Sequence, residues 1–479
     1  MTRREALRLM GSAAGVGAAS VWLPGCGQAC SEVGSDPPAA TTYGAGGRTP
    51  GPSGGARADV IVLGAGMAGL SATAALVERG RSVIVLEGRD HVGGRTRTDR
   101  SLGFAIDLGA HWIEGVRRNP VAELARQLGA RTVEQNDEVM GFDHDGRRLD
   151  DETMEAIEER WERIERSVAR EGERRPRDVS FESGVLRAVA GEELDAFERR
   201  ALDWSMASLE TDSAGELSRV TLIEADEGEG FGGASALLPD GYDQLPRALA
   251  RRADVRTSHR VERVERSRSG VRVIAAGTTF EARAAVVTLP LGVLKAGHVA
   301  FAPQLPQRKR DAIARLEMGT LNKVALRFPR AQWPDEPHGF AYLSNLRGEF
   351  PEVLNWHALA GHPVLIAFTG GVHARAMEAR TDADIVARLT AIYRSMFGSS
   401  LPQPTGHVIT RWTRDPFTLG SYSFLAEGAT PDDRRALAAP VDGNVFFAGE
   451  ATNADYPATV HGAVLSGRRA AREVDDALG

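Results

Sequence analysis

Asp59-Val-Ile-Val-Leu63 runs straight into Gly64-Ala-Gly66-Met-Ala-Gly69, and this stretch decides the fold. Its Val-Ile-Val-Leu run is apolar and mostly β-branched, the composition of a strand buried in a parallel sheet. Beyond the glycines, Leu70, Ala74, Ala75 and Val77 recur at helical spacing until Gly80 ends the pattern. Ser82-Val-Ile-Val-Leu86 then supplies a second strand, closed by the acid Glu87. Strand, glycine turn, helix, strand and acid in about thirty residues make the β-α-β unit that binds a dinucleotide. Gly64 permits the tight turn, Gly66 lets backbone approach a pyrophosphate, and Gly69 lets helix and strand pack closely. The helix N-terminus offers unpaired N–H groups and partial positive charge to phosphate. Glu87 can accept hydrogen bonds from ribose hydroxyls.

That unit alone does not separate FAD from NAD. The next residues, Glu87-Gly-Arg89-Asp-His-Val-Gly93-Gly94-Arg95-Thr96, resemble the extension of the glutathione-reductase-like FAD enzymes of the amine oxidase group. The glycine pair allows close approach, and arginine gives fixed charge at a pyrophosphate. Four further stretches are similar to the polyamine oxidases, spermine oxidase and the lysine-specific histone demethylases. They are Asp107-Leu-Gly-Ala-His-Trp-Ile-Glu114-Gly, Thr288-Leu-Pro-Leu-Gly-Val-Leu-Lys295 and Met318-Gly-Thr-Leu-Asn-Lys323-Val-Ala-Leu-Arg-Phe328. The fourth runs from Arg411-Trp412 and Gly420-Ser-Tyr422-Ser-Phe424 to Phe447-Ala-Gly449-Glu450 and Tyr456-Pro-Ala-Thr459-Val-His461-Gly462-Ala. All stand in the family's order.

The resemblance implies an α/β chain with a glutathione-reductase-like FAD-binding Rossmann domain drawn from 57–135, 236–300 and 405–479. A discontinuous α+β substrate domain, a mixed sheet flanked by helices, would come from 136–235 and 301–404. The pattern agrees in outline. Residues 151–210 are charged and helical in period, while 271–290 and 321–328 look like strands. The demethylases' long helical insertion and extra N-terminal module find no room, so histone demethylation is the less favoured expectation.

By the same resemblance, Gly64, Gly66, Gly69, Glu87, Arg89, Gly94 and Arg95 hold the ADP half of FAD, and Val261 reads the adenine through its backbone. Gly109, Ala110, His111 and Trp112 pass beside the isoalloxazine. Gly449 and Glu450 meet the pyrophosphate and ribityl chain. Thr459 and Val460 lie against the pyrimidine edge, where a helix starting after Thr459 aims its dipole. Lys323 matches the lysine that holds a water against flavin N5, and a lysine in the apolar run Val324-Ala-Leu326 needs such a partner if buried. Trp412 and Tyr422 match aromatic positions at the flavin's active face. Monoamine oxidases carry a second aromatic where this chain has Thr459, so the passage should be wider and suit a long secondary amine. Glu114 matches an acid near the substrate tunnel of plant polyamine oxidases. Asp226 and Glu227 sit in an acidic run with Glu224 and Glu229. Such carboxylates can hold ammonium groups by charge-assisted hydrogen bonds, although the run also reads as a solvated loop.

The expected chemistry is oxidation of a C–N bond by hydride transfer from a neutral amine to flavin N5. Imine, aldehyde, a shorter amine and hydrogen peroxide follow, with O2 as acceptor and polyamines as substrates. The rivals are an L-amino acid oxidase, which would need a cation facing the substrate carboxylate, a flavin-binding protein without turnover, and a desaturase.

Composition agrees. Hydrophobic residues make up 42% and charged residues 26%, ordinary for a globular enzyme. A net charge of −7 and a pI near 6.0 speak against a nucleic-acid binder and allow a cationic substrate. The two cysteines, Cys26 and Cys30, precede the folded body, which therefore holds neither a thiolate cluster nor a cysteine nucleophile. His111, His259, His298 and His461 lack paired ligand spacing, so no metal is expected. Arg3, Arg4 and Arg8, followed by the weakly apolar stretch 9–23, read as a twin-arginine export signal within residues 1–30. This predicts export across a bacterial inner membrane. Leu23-Pro-Gly-Cys26 resembles a lipoprotein cleavage box with Cys26 as lipid acceptor. Residues 31–56, rich in Gly, Pro and Ala, read as a disordered tether.

Overall fold

The structure, a computed structural model, describes residues 57–136, 138–174, 179–222 and 230–479. The export segment, Cys26, the tether, Asp226 and Glu227 lie outside the described residues.

The elements that build the site are, along the chain, β1 (Arg57–Leu63), α1 (Met67–Glu78), β2 (Val83–Leu86), β3 (Val139–Asp143), α2 (Asp151–Arg174) and α3 (Ala196–Ser213). Then come β4 (Asp254–Arg256), β5 (Val261–Ser267), β6 (Gly270–Ala275), β7 (Thr278–Val287), β8 (Ala300–Ala302) and β9 (Leu321–Arg327). The remainder are β10 (Gly339–Leu343), β11 (Glu352–Asn355), β12 (Val364–Gly370), β13 (Gly406–Ile409), β14 (Val445–Phe447) and α4 (Val460–Leu478).

The first sheet runs β8-β5-β6-β7-β1-β2-β4, with β14 also paired to β7. β1 lies parallel to both β2 and β7, and β14 parallel to β7. Val60, Ile61, Val62 and Leu63 are fully buried, each side chain contributing about 1.5–3 kcal/mol by leaving water. α1 and α4 cover one face, where Val60, Val62 and Val286 meet Ala68, Ala72, Leu76, Ala470 and Val474. The helices approach closely at Gly467, where a Cβ would stand 2.2 Å from Ala68 O. β1 and β2 end in register at Leu63 and Leu86. The glycine turn and Glu87 therefore emerge side by side at the carboxyl edge, where parallel sheets bind ligands.

The second sheet runs β13-β9-β12-β11-β10-β3 and is antiparallel except where β3 joins β10. One face buries Val324, Leu326, Phe340, Leu365 and Ala367 against Ile385, Leu389 and Tyr393. The sheets trade strands slightly beyond the limits drawn from the sequence. β8 extends to 302 in the first sheet, and β13, beginning at 406, pairs with β9 of the second. Ladder hydrogen bonds assign such short strands, and composition does not. Among the described residues, no helix is long and apolar enough to cross a membrane.

Candidate active site

A cavity of about 490 Å³ extends from the carboxyl edge of the first sheet onto the second. Gly64, Gly66, Glu87 and Arg95 line one end, Lys323, Trp412, Tyr422 and Thr459 the middle, and residues of α3 and β11 the other end.

At the first end the backbone leaves room on purpose. A Cβ on Gly69 would stand 2.0 Å from Gly64 O, so helix and turn could not close. A Cβ on Gly66 would meet no protein atom within 4 Å, because it would project into the cavity that Gly66 lines. The Glu87 carboxylate accepts from Ala65 N at 2.7 Å and Arg89 N at 2.9 Å, which fixes the strand end it closes. Arg89 pairs with Asp415 at 2.7 Å and rests over the Phe417 ring. Arg95 donates to Glu450 Oε1 at 2.8 Å and Ser421 O at 2.9 Å. Burial pushes the Glu450 carboxyl up, but Arg95, Ser423 and Arg434 outweigh burial and hold it below the usual range. Glu450 lines the cavity, and its oxygens are taken by Arg95 and Ser423, so it acts by aiming Arg95. Gly94, Val261 and Gly449 line the cavity as well.

Gly109, Ala110, His111 and Trp112 form the next stretch of wall, held by Ala110 N donating to Arg95 O at 3.0 Å. Thr459 caps α4, its hydroxyl accepting from Gly462 N at 2.9 Å, so the N-terminus of α4 opens at the cavity beside Val460. A glycine turn under a helix N-terminus, an acid at a strand end, a paired arginine and a second helix N-terminus farther along fit FAD. Its phosphates would meet Gly64, Gly66 and Arg95, and its ring system the wall from Gly109 to Trp112.

Lys323, on β9, is 4% exposed. Its Nζ donates to Asp107 O at 3.0 Å and Gly109 O at 2.6 Å, lies 3.1 Å from His111 Nδ1, and sits over the Phe368 ring. Burial lowers its pKa from 10.5 to about 7, with Asp107 opposing. Burial raises Asp107 to about 6, opposed by hydrogen bonds from Thr98 and Tyr242 N and by Lys323. Burial and Lys323 hold His111 well below its usual value. The ring is therefore neutral.

Asn322 is fully buried and ties this strand to the aromatic wall. Its Nδ2 donates to Glu378 at 2.8 Å, and its Oδ1 accepts from Thr410 Oγ1 at 3.0 Å and Trp412 N at 3.2 Å. Trp412 is buried at the cavity wall. Tyr422 Oη shares its proton between Thr211 O and Asp212 O, both at 2.9 Å. Glu114 lies 4.0 Å from His461 Nδ1 beside a Phe231–Tyr456 stack whose ring centroids are 4.9 Å apart. The structure thus brings Lys323, Trp412, Tyr422, Thr459 and Glu114 to one cavity. It adds Asn322, Phe368, Asp212 and Glu352, for which the sequence carried no separate signal beyond Asn322's place in the Leu-Asn-Lys-Val motif.

A dinucleotide-binding sheet joined to a second sheet carrying a buried lysine and an aromatic wall defines a flavin-dependent oxidoreductase. The family described as flavin containing amine oxidoreductase matches residues 67–475, and the chain belongs to that family and uses FAD. It is 38% identical over 437 residues to lysine-specific histone demethylase 1 homolog 2 of Oryza sativa subsp. japonica, covering 87% of this chain but 57% of that protein. The chain therefore spans little more than half the length of such relatives. It is 35% identical over 427 residues to probable polyamine oxidase 4 of Arabidopsis thaliana, covering 85% of each. Putrescine oxidase bound to putrescine shares the fold, with a TM-score of 0.74, 22% identity and coverage of 88% of this chain and 99% of that one.

Proposed function

We propose that this oxidase acts on aliphatic amines with more than one nitrogen, polyamines above all, cleaving a C–N bond to an aldehyde and a shorter amine. The observation that carries the reading is the lining of the cavity beyond Lys323. It is aromatic and acidic, with Trp204, Phe368, Trp412 and Tyr422 beside Glu158, Asp212 and Glu352, and among the described residues it holds no arginine. The three arginines described on the cavity wall stand at the nucleotide end, where Arg89 faces Asp415, Arg95 faces Glu450 and Arg260 adjoins Val261. Among the described residues an amino acid carboxylate would find no arginine at the substrate end, which disfavours the L-amino acid oxidase reading.

Bound FAD supplies the two-electron acceptor for the hydride. The chain's own residues do the rest. Trp412 and Tyr422 shape a wall that excludes water and presents the amine as free base. Lys323, half-ionised near neutral pH and backed by His111, holds or passes a proton at Nζ. Glu114 offers a carboxylate near the α4 N-terminus. We also propose export across a bacterial inner membrane, which fractionation of the producing cell tests: recovery with the cytoplasmic fraction would overturn it.

The full-length flavoprotein is to be incubated in air with spermine, spermidine, putrescine, tyramine and L-leucine, measuring peroxide and aldehyde. Turnover of spermine or spermidine above the others supports the proposal. Turnover confined to L-leucine or tyramine overturns it.

A further inference from the structure

A buried acid that takes no part in the cavity lies behind Lys323. Successive side chains of a strand point to opposite faces, so Lys323 faces the cavity while Asn322 points behind β9. Neither Asn322 nor Glu378 is among the described residues that line the cavity. Glu378 ends the helix Gly371–Glu378 and is 2% exposed. Its Oε1 accepts from Asn322 Nδ2 at 2.8 Å and Thr413 N at 3.1 Å, and its Oε2 accepts from the Thr413 hydroxyl. A carboxylate is costly here for two reasons. It is buried, and it stands at a helix C-terminus, where unpaired carbonyls carry partial negative charge. Elsewhere the chain meets a buried acid with an arginine: Asp143 with Arg200, Glu349 with Arg388, Asp433 with Arg315 and Glu450 with Arg95. The donors to Glu378 among the described residues are instead neutral, and they belong to the strand and the turn that carry Lys323 and Trp412.

The acid decides how the Asn322 amide is turned. Asn322 Oδ1 accepts from Trp412 N at 3.2 Å and Thr410 Oγ1 at 3.0 Å, and Thr410 Oγ1 accepts from Lys323 N at 2.8 Å. A carboxylate only accepts, so it draws Nδ2 and leaves Oδ1 for Trp412 N. The opposite orientation would set an oxygen against the carboxylate and an N–H against Trp412 N. In front of the strand the triangle closes. Lys323 Nζ donates to Gly109 O at 2.6 Å, and a Cβ on Gly109 would stand 3.4 Å from Trp412 Cζ2. Glu378 thus reaches Trp412 by two short routes, one through Asn322 and one through Thr413.

We infer that Glu378 is a positioning residue for the oxidation: from behind the sheet it fixes the Asn322 amide and the turn Trp412–Arg414, and so sets the Trp412 ring at the reacting part of the cavity. The inference rests on the amine-oxidising reading above. Glu378→Gln keeps the size and shape of the side chain but donates as well as accepts. The Asn322 amide is then free to turn, Trp412 N loses its acceptor, and the ring leaves its place. A displacement of about 1 Å at a reacting centre costs about a hundredfold in rate.

The test uses the full-length holoenzyme labelled with 5-fluorotryptophan, in which the fluorine resonance of Trp412 is the one missing from Trp412→Phe. Glu378→Gln should shift that resonance and slow anaerobic flavin reduction at saturating spermidine by about tenfold or more. In the double variant Glu378→Gln, Trp412→Phe the two losses should not multiply, because Glu378 acts through Trp412. Ser344→Ala is the control. It takes a hydrogen bond from another buried glutamate, Glu349, and should lower stability while leaving the resonance and the rate as in the parent. An unmoved Trp412 resonance in Glu378→Gln, or losses that multiply, overturns the inference. If spermidine does not reduce the parent's flavin, the amine reading fails, while the resonance still decides the placement. Should Glu378→Gln not fold, Thr413→Val, which replaces only the hydroxyl bonded to Glu378, must shift the same resonance or the inference falls.

Discussion

Lys323→Met keeps the apolar stem of the side chain and removes one nitrogen. That nitrogen contacts Asp107 O, Gly109 O and His111 Nδ1 within a site that is 4% exposed at Lys323. The fall in pKa from 10.5 to about 7 raises the neutral fraction at pH 7 from about 1 in 3,000 to about one half. Lys323 can thus give up and regain a proton at neutral pH, which a solvated lysine cannot. A positioned acid–base group contributes about 10²–10⁴ in rate. Stopped-flow absorbance should show Lys323→Met slowing anaerobic flavin reduction or reoxidation by oxygen at least a hundredfold, with loss of the inflection near pH 7. Lys323→Arg, which keeps a charge that does not deprotonate, should be as slow at pH 8 as at pH 6. If both half-reactions of Lys323→Met stay within threefold of the parent and the inflection persists, the reasoning is wrong.

The glycine geometry separates binding from folding: Gly66→Ala should fold normally and lose FAD affinity, whereas Gly69→Ala, with its Cβ 2.0 Å from Gly64 O, should lose both. Circular dichroism with flavin titration checks the contrast. Arg95→Met removes the arginine bonded to Oε1 of the buried Glu450 carboxylate, so the protein should elute from gel filtration with little flavin and a lowered Tm. Asn322→Leu leaves Glu378 and Trp412 N without their partner and should cost about 2–4 kcal/mol, read by denaturant unfolding. Lys309 donates to Ala436 O and Leu437 O under the Phe447 ring, and burial with Arg469 nearby lowers it to about 7. The unfolded chain, with an ordinary lysine value of 10.5, binds the extra proton between these values. The parent should therefore gain stability on Lys309→Met as pH rises from 7 to 10. A Tm difference independent of pH would refute that sign.

The nucleotide half was legible because its chemistry is local. Gly64, Gly66, Gly69 and Glu87 lie within 24 residues and act through backbone turns that short spacing specifies. Lys323, Trp412, Tyr422 and Thr459 were reached through motifs, since nothing in their local composition brings together strand β9, the turn at 412 and the start of α4. The acids at the far end of the cavity stayed hidden for a different reason. Glu352 begins Glu-Val-Leu-Asn, an ordinary alternation, and only the ladder Lys323–Phe368–Glu352 places it two strands from the lysine. Asp212 closes a charged helix and reads as solvated until β11 lies beneath it. Asp226 and Glu227, the acids the sequence did single out, fall outside the described residues. Glu450 shows the remaining gap: a motif names the residue, but only the bonds to Arg95 and Ser423 reveal which neighbour it serves.

The central claim is that this flavoprotein takes electrons from amines bearing several ammonium groups. The most direct measurement is anaerobic bleaching of the flavin band in the full-length protein, mixed in turn with spermidine, tyramine and L-leucine. The account predicts complete bleaching by spermidine at concentrations at least tenfold below those of the other two. Bleaching by L-leucine, or by tyramine as readily as by spermidine, would contradict it.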